Sequence, residues 1–364
     1  MTSRRAEVAH VGPDPNRIGG MEAVLRDVLA SPLSSRYRLY LITSYRSHRP
    51  LHRVLTFAKA LGTLARWCRG DGERLVHIHT AVRGSIYRKS LCVLVAALAG
   101  RPVVLQLHAG AGDIDAFAAR LDPVRRALFG AAMRRADVVI SVSRAGARRI
   151  EENFGVEGVL VVPNPAPAVP RANGSANGNG SHTQALFLGG FANPAKGGEV
   201  LLRALPEILA AHPDLRVTLA GSETPPAELI ALQRRHPGLR WAGWLDQRAA
   251  REQLSQCDVF VMPSISEGMP VALLEAMAYA RAIVTTPVGG IPDVVSDDAE
   301  AILVPTNDAT ALSQGVLRAI ADDELRGRLG RAAKARLEEA FNREEIFDRI
   351  AAIYDELLAR ETAA

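Results

Sequence analysis

Residues 258–278 read DVFVMPSISEGMPVALLEAMA. Asp258–Met262 is a short, continuous apolar run after one acidic residue, the pattern of a strand buried on both faces. The run from Val271 onward is rich in helix formers. Pro270 suits a first helical turn, where its missing N–H costs nothing, and Gly268 permits close backbone approach. A strand passing through a short loop into a helix is the repeating unit of α/β folds with parallel sheets. The start of such a helix offers free N–H groups and a positive dipole end to an anion.

The same alternation runs through the chain. Before residue 165 the apolar runs are Ala6–Val11, Leu39–Thr43, Leu75–His79, Val103–His108, Val138–Val142 and Val159–Val162. After residue 183 they are Ala185–Leu188, Arg216–Ala220, Val259–Met262, Ala282–Thr285 and Ala301–Val304. Helical patterns separate them, which predicts βαβ units and a parallel sheet in each half. Between the halves lie Pro163-Asn-Pro-Ala-Pro-Ala-Val-Pro170 and the Asn/Gly/Ser-rich stretch 173–181. This is linker composition. The expected organisation is a first Rossmann-like domain over 1–168, a flexible linker over 169–183 and a second domain over 184–340. A C-terminal helix over 341–364 is expected to pack back toward the first domain.

The 364 residues suit two such domains, and 23% charged with 48% hydrophobic residues is ordinary globular composition. The longest uncharged apolar stretch, Leu91–Gly100, is about half the roughly 18 residues of a membrane span. The N-terminus runs straight into a strand pattern, so no signal peptide is expected. Three scattered cysteines, Cys68, Cys92 and Cys257, make neither a disulfide framework nor a zinc spacing. These features predict a cytoplasmic protein.

The net charge of +5 hides an asymmetry. Residues 1–170 hold 25 Lys and Arg against 13 Asp and Glu, a net of +12; residues 171–364 hold 19 against 26, a net of −7. The basic half points to an anionic partner. Nucleic acid is disfavoured, because aromatics are only 5% and no nucleic-acid motif is present. The segment Arg53–Arg69 has apolar residues at helical spacing and only basic charges, which suits an anionic membrane surface. The competing reading is an ordinary helix packed on the sheet.

Within 258–278, Glu267 sits at the helix mouth and Glu275 about 10 Å further along, at about 1.5 Å per residue. Both can accept hydrogen bonds from vicinal hydroxyls. Their spacing matches that between the sugar and the ribose of a nucleotide sugar. Glu-x7-Glu in this setting resembles the family 4 retaining glycosyltransferases of the GT-B fold, two Rossmann-like domains facing a cleft. The resemblance implies that Glu267 contacts the donor sugar and Glu275 the nucleotide ribose, with Gly268, Met269 and Leu274 in the same donor-binding segment. Lys196-Gly197, after the strand Leu186–Leu188, matches the family's Lys-Gly, whose Lys neutralises the donor diphosphate. The family's accompanying Arg is missing, and Gly190 and Phe191 occupy its neighbourhood. Charge stabilisation then falls on Lys196, helix N–H groups or another Arg.

The resemblance continues through the first half. Gly19-Gly20 opens the first helix where the family approaches the phosphates, and His108, ending a strand, falls near the reaction centre. Gly243 and Trp244 fall where the family frames the base. The catalytic residues so implied are His108, Glu267 and Lys196. The implied activity is transfer of a hexosyl unit from a UDP- or GDP-sugar, with retention, to a saccharide or polyprenyl-diphosphate-linked acceptor in surface polysaccharide or glycolipid synthesis. No cofactor and no metal is expected, the diphosphate being held without an Asp-x-Asp-bound cation. His77 and His79 share one strand face and read as structural, since a metal site from them lacks a third ligand. The competing readings are a GT-B nucleotide-sugar 2-epimerase and a non-catalytic nucleotide-sugar-binding subunit. A nicotinamide enzyme is disfavoured, because Gly-x-Gly-x-x-Gly is absent.

Overall fold

A computed structural model describes residues 5–17, 19–47, 49–169, 183–221 and 224–363. Most of the expected linker, residues 170–182, lies outside the described residues. The chain forms two compact units, Met1–Pro165 with Arg343–Ala364, and Ala166–Asn342.

The first unit runs β1 (Glu7–Pro13), α1 (Gly20–Leu29), α2 (Leu33–Arg36), β2 (Arg38–Tyr45), α3 (Pro50–Cys68), β3 (Arg74–Thr80), α4 (Gly84–Leu98), β4 (Val103–Leu107), α5 (Ala111–Ala118), α6 (Pro123–Met133), β5 (Val138–Ser141), α7 (Arg144–Phe154) and β6 (Leu160–Val161). Its sheet is parallel, in the order β2-β1-β3-β4-β5-β6. Every residue of β1 is buried, as are all of β4 and all but the first of β3. Helices therefore cover both faces, which is why these strands read as unbroken apolar runs. Residues such as Val11, Leu64, Ile78, Val93 and Leu107 form one core.

The second unit runs β7 (Gln184–Leu188), a 3₁₀ turn (Pro194–Lys196), α8 (Gly198–Ala211), β8 (Arg216–Ala220), α9 (Ala227–Gln233), β9 (Leu239–Trp241), α10 (Gln247–Gln256), β10 (Val259–Met262), α11 (Val271–Ala278), β11 (Ala282–Thr285), α12 (Ile291–Val294), β12 (Ile302–Leu303), α13 (Ala309–Ala321) and α14 (Asp323–Ala340). The order is β12-β11-β10-β7-β8-β9, again parallel. Strand β9 is absent from the apolar runs of the sequence. It is three residues long, and only Leu239 is buried, so it has no run to read. Pro270 is the N-cap of α11 rather than a residue of its first turn.

The last helix, α15 (Arg343–Ala363), belongs to the first unit. Its Tyr354 is fully buried and hydrogen-bonds to His77 of β3. The Tyr37 hydroxyl donates to Asp355 of the same helix.

Three helices of the first unit carry apolar side chains on the surface. On α4, Tyr87, Leu91, Leu94 and Leu98 lie on one exposed face, while Ile86, Lys89, Val93 and Ala96 face inward. On α3, Leu51, Val54 and Leu55 are more than half exposed, while Ala60, Leu64 and Cys68 are buried. Val124 and Leu128 project from α6. Helix α4 packs against both α3 and α6.

Candidate functional site

In the second unit, the loops after β7 and β10 meet. Lys196 closes the 3₁₀ turn, and its Nζ lies 2.7 Å from Glu267 Oε1. The Ser264 hydroxyl donates to the same oxygen at 2.8 Å. Glu267 is buried and Lys196 is about one-third exposed. Glu267 Oε2 accepts from no described residue. The pair thus holds one oxygen fixed and leaves the other available to a ligand.

Backbone contacts explain why these loops meet. Ile265 N donates to Ala195 O at 2.7 Å, joining the Ser-Glu-Gly loop to the 3₁₀ turn. The Thr286 hydroxyl donates to Ser264 O. Two glycines permit the approach. Gly197 has φ 70° and Gly289 φ 57°. A Cβ on Gly197 would collide with the Pro263 carbonyl, and one on Gly289 with the Glu267 carbonyl. Any other residue would add left-handed strain to a clash.

Glu275 sits two turns along, inside α11, and is 7% exposed. Arg251 of α10 donates Nε to Glu275 Oε1 at 2.9 Å and reaches the Ala168 carbonyl. Glu275 is therefore buried and charge-paired. Arg251→Ala is expected to cost about 1–3 kcal/mol, the price of a buried carboxylate losing its guanidinium. A fall of several degrees in Tm checks it, and an unchanged Tm overturns it.

Gly268, Met269 and Leu274 are buried in the same segment. Gly190 follows β7, and its N–H donates to Ala220 O at the end of β8; Gly221 N in turn donates to Gly243 O beyond β9. Gly190 and Gly243 thus follow the carboxyl ends of β7 and β9, on either side of β8, where open α/β sheets bind ligands. Trp244 is 50% exposed and shares no hydrogen bond or ring contact with either carboxylate among the described residues. Phe191, in the place of the expected Arg, packs its ring on Phe187 and Trp241. That position serves the core, and Arg251 is the guanidinium held at Glu275.

In the first unit, His108 follows β4. Its Nε2 is 3.1 Å from His79 Nδ1, and His79 Nε2 is 3.0 Å from His10 Nδ1. His10, His77 and His79 are fully buried; His108 is partly open. Burial pushes His10 down to about 3 and His108 to about 4, with His77 and His79 held well below the usual imidazole range. All four are neutral at physiological pH. A neutral imidazole has one donor and one acceptor, so one end of the chain fixes the rest. His10 Nε2 is buried without a partner. A bare nitrogen there costs less than an orphaned N–H. The protons therefore sit on Nδ1 of His10 and His79, His108 accepts at Nε2, and His108 carries its own proton on Nδ1.

His10 is the third imidazole that the sequence reading did not find beside His77 and His79. Ligand-capable atoms of the three lie within 4.8 Å of one another. Parallel pairing of β1 with β3 puts His10 opposite His77. The rings are stacked or tilted, with interplanar angles of 19° to 39°. Their in-plane lone pairs run side by side rather than to one point, and His79 already uses both nitrogens. The set is a hydrogen-bonded stack. The sequence does contain one Asp-x-Asp, Asp113-Ile114-Asp115. On α5, Asp113 faces Arg83, and Asp115 pairs with Arg149 and Asn153.

Gly19 and Gly20 open α1 and are exposed. A Cβ on Gly19 would collide with Glu22, whose carboxylate folds back over the helix start, whereas Gly20 has open space around it.

The family described as Glycosyltransferase Family 4 matches residues 18–168, and that described as Glycosyl transferases group 1 matches residues 182–322. The chain is 31% identical to the phosphatidyl-myo-inositol mannosyltransferase of Propionibacterium freudenreichii over 281 residues, 74% of this chain and 68% of that protein. The sucrose-phosphate synthase structure from Thermosynechococcus elongatus superposes with a TM-score of 0.77 at 19% identity, covering 98% of this chain and 100% of that one. Anabaena HepE in complex with UDP-glucose gives a TM-score of 0.74 at 17% identity, covering 96% and 99%.

Proposed function

Because this chain belongs to the family 4, group 1 glycosyltransferases, we propose that it moves a hexosyl unit from a nucleotide-diphosphate sugar, with retention, to a lipid-borne acceptor at an anionic membrane surface. The observation that carries the donor assignment is the Lys196–Glu267 pair, held by Ser264 with the second Glu267 oxygen unengaged. Glu267 Oε2 accepts from a sugar hydroxyl, and the Lys196 ammonium neutralises the diphosphate as the glycosidic bond breaks. An ion-paired, hydrogen-bonded carboxylate is a weak nucleophile, which favours a hydroxyl-binding role for Glu267 and front-side attack by the acceptor. Glu275 and Arg251 hold the ribose end, and His108 offers its Nδ1 proton to a sugar oxygen. No step calls on a metal.

The likeness to a phosphatidyl-myo-inositol mannosyltransferase favours a mannosyl donor and a phosphoinositide acceptor. Two further features favour the membrane. The first half carries the positive charge, and α3, α4 and α6 present an apolar face. No helix among the described residues is long and apolar enough to cross a membrane; the basic charge and the exposed apolar side chains are what support attachment at the surface.

The test is nucleotide diphosphate release from a panel of UDP- and GDP-hexoses, with and without phosphatidylinositol, with the product anomer read by NMR. Release from one donor, stimulated by the lipid and giving the donor's own anomer, supports the reading. The opposite anomer overturns retention, and lipid-independent turnover overturns the acceptor.

A further inference from the structure

The first unit contains a second charged site that the scheme above does not use. Lys89 lies on α4 and is 2% exposed. Its ammonium donates to the Val11 carbonyl near the end of β1 at 2.9 Å and to the Ser44 hydroxyl of β2 at 2.6 Å. Both partners are neutral. Burial lowers the Lys89 pKa to about 8, so the group is still charged near neutrality. Arg88 stands beside it, its guanidinium 5.7 Å from the Tyr45 ring centre and its Nε buried without an acceptor. Neither cation has a carboxylate partner among the described residues. A buried charge with no counter-charge is costly, and proteins keep one where a ligand supplies the counter-charge.

The two cations line a cavity of about 180 Å³ with Pro13, Glu22, Ser44 and Ser85. It opens at the carboxyl ends of β1, β2 and β3. In the order β2-β1-β3-β4-β5-β6 the connections reverse direction between β1 and β3, the place where doubly wound sheets hold their ligands. One residue from Arg88, Tyr87 begins the exposed apolar face of α4. Glu22 lies back over the start of α1.

We propose that this cavity binds the phosphoester group of the acceptor, with Lys89 and Arg88 as its counter-charges and Glu22 accepting from hydroxyls carried beside it. The assignment rests on the transferase reading of the first unit and deepens it. An anionic phosphoester is common to a lipid headgroup, where it is a diester, and to a soluble sugar or inositol phosphate, where it is a monoester. The apolar face next to it favours the lipid.

The test is calorimetric titration of the full chain, at low ionic strength, with inorganic phosphate and with myo-inositol 1-phosphate. Sedimentation with phosphatidylcholine vesicles containing either phosphatidylinositol or phosphatidylglycerol runs in parallel. Wild type is compared with Lys89→Met and with Arg88→Gln, at a partly buried position, and UDP and GDP binding is measured on each protein. The expected result is binding of the phosphate ester that weakens at least tenfold in both variants, with nucleotide binding unchanged. Preference for phosphatidylinositol over phosphatidylglycerol vesicles, lost in both variants, identifies the lipid as the source of the phosphate. Vesicle binding indifferent to headgroup, with the soluble ester still bound, places the phosphate on a soluble acceptor and overturns the lipid assignment. Failure of every phosphate compound to bind, or equal binding by the Arg88→Gln protein, overturns the site. Retained nucleotide binding keeps that failure distinct from a failure of the transferase reading itself.

Discussion

Lys196→Ala is expected to slow nucleotide diphosphate release by about 10²–10³-fold, the range found when one preorganised group facing developing charge is removed. Among the described residues Lys196 is the only cation in the hydrogen bonds of Glu267, and its turn is tied to the Ser-Glu-Gly loop by the Ile265–Ala195 bond. Removing it leaves Glu267 with Ser264 alone and, in the proposed reaction, takes the positive charge from the leaving group. Glu267→Ala is expected to fall into the same range, and the double variant to lose far less than the product of the two, because the residues act as a unit. Glu267 is left buried without its cation, so Lys196→Ala is also expected to lower Tm, as Arg251→Ala does. Steady-state release with each single and double variant decides it. A loss under tenfold for Lys196→Ala, or full additivity, would sink the shared role.

The second large effect concerns acid. His10, His77, His79 and His108 are neutral in the folded first unit, their pKa values pushed down by burial. Released by unfolding, they titrate near 6.5. Below that pH the unfolded state binds more protons than the folded one, so stability is present above about pH 6.5 and is lost as pH falls toward the folded values, about 4 for His108 and about 3 for His10. Each group adds a slope of at most ~1.4 kcal/mol per pH unit. Four together remove stability on the order of a whole domain's 5–15 kcal/mol within two pH units. The first unit is expected to unfold near pH 5 while the second, whose described histidines His212 and His236 lie outside any such stack, persists. Trp67 belongs to the first unit, whereas Trp241 and Trp244 belong to the second. Trp67 fluorescence in a Trp241→Phe, Trp244→Phe background follows the first unit alone. A urea midpoint constant from pH 7 to 4.5 would exclude the linkage, and His10→Phe is expected to lower the slope by about one proton.

Much of the fold was legible because parallel strands buried on both faces leave unbroken apolar runs, as in β1, β3 and β4. Strand β9 was not, because an edge strand of three residues with one buried side chain carries no pattern. Glu267 and Lys196 stood out by their local setting of strand, glycine and helix start. The contact between them depends on Gly197 and Gly289, whose necessity shows only once the facing carbonyls are known. Arg251 was hidden among the other charged residues of α10, and only packing shows which of them reaches Glu275. The histidine stack depends on which strands are neighbours, and strand order is not written in any local pattern. Lys89 gave one legible signal: in GSIYRKSLCVLVAAL it occupies the inward face of α4 with Ile86, Val93 and Ala96.

The last helix has a consequence for how the molecule is made. Residues 343–364 complete the first unit, and Tyr354 reaches His77 across 277 positions of chain. During synthesis the ribosome releases β1 to β6 long before α15 exists. Until it arrives, His77 lacks its hydroxyl partner, Tyr37 lacks Asp355, and the surface that Ile346, Phe347, Ile350 and Leu357 will cover stays wet. The first half therefore waits for the last words of its own message. A product stopped early, even after the whole second unit, leaves the first unit unfinished and open to proteolysis.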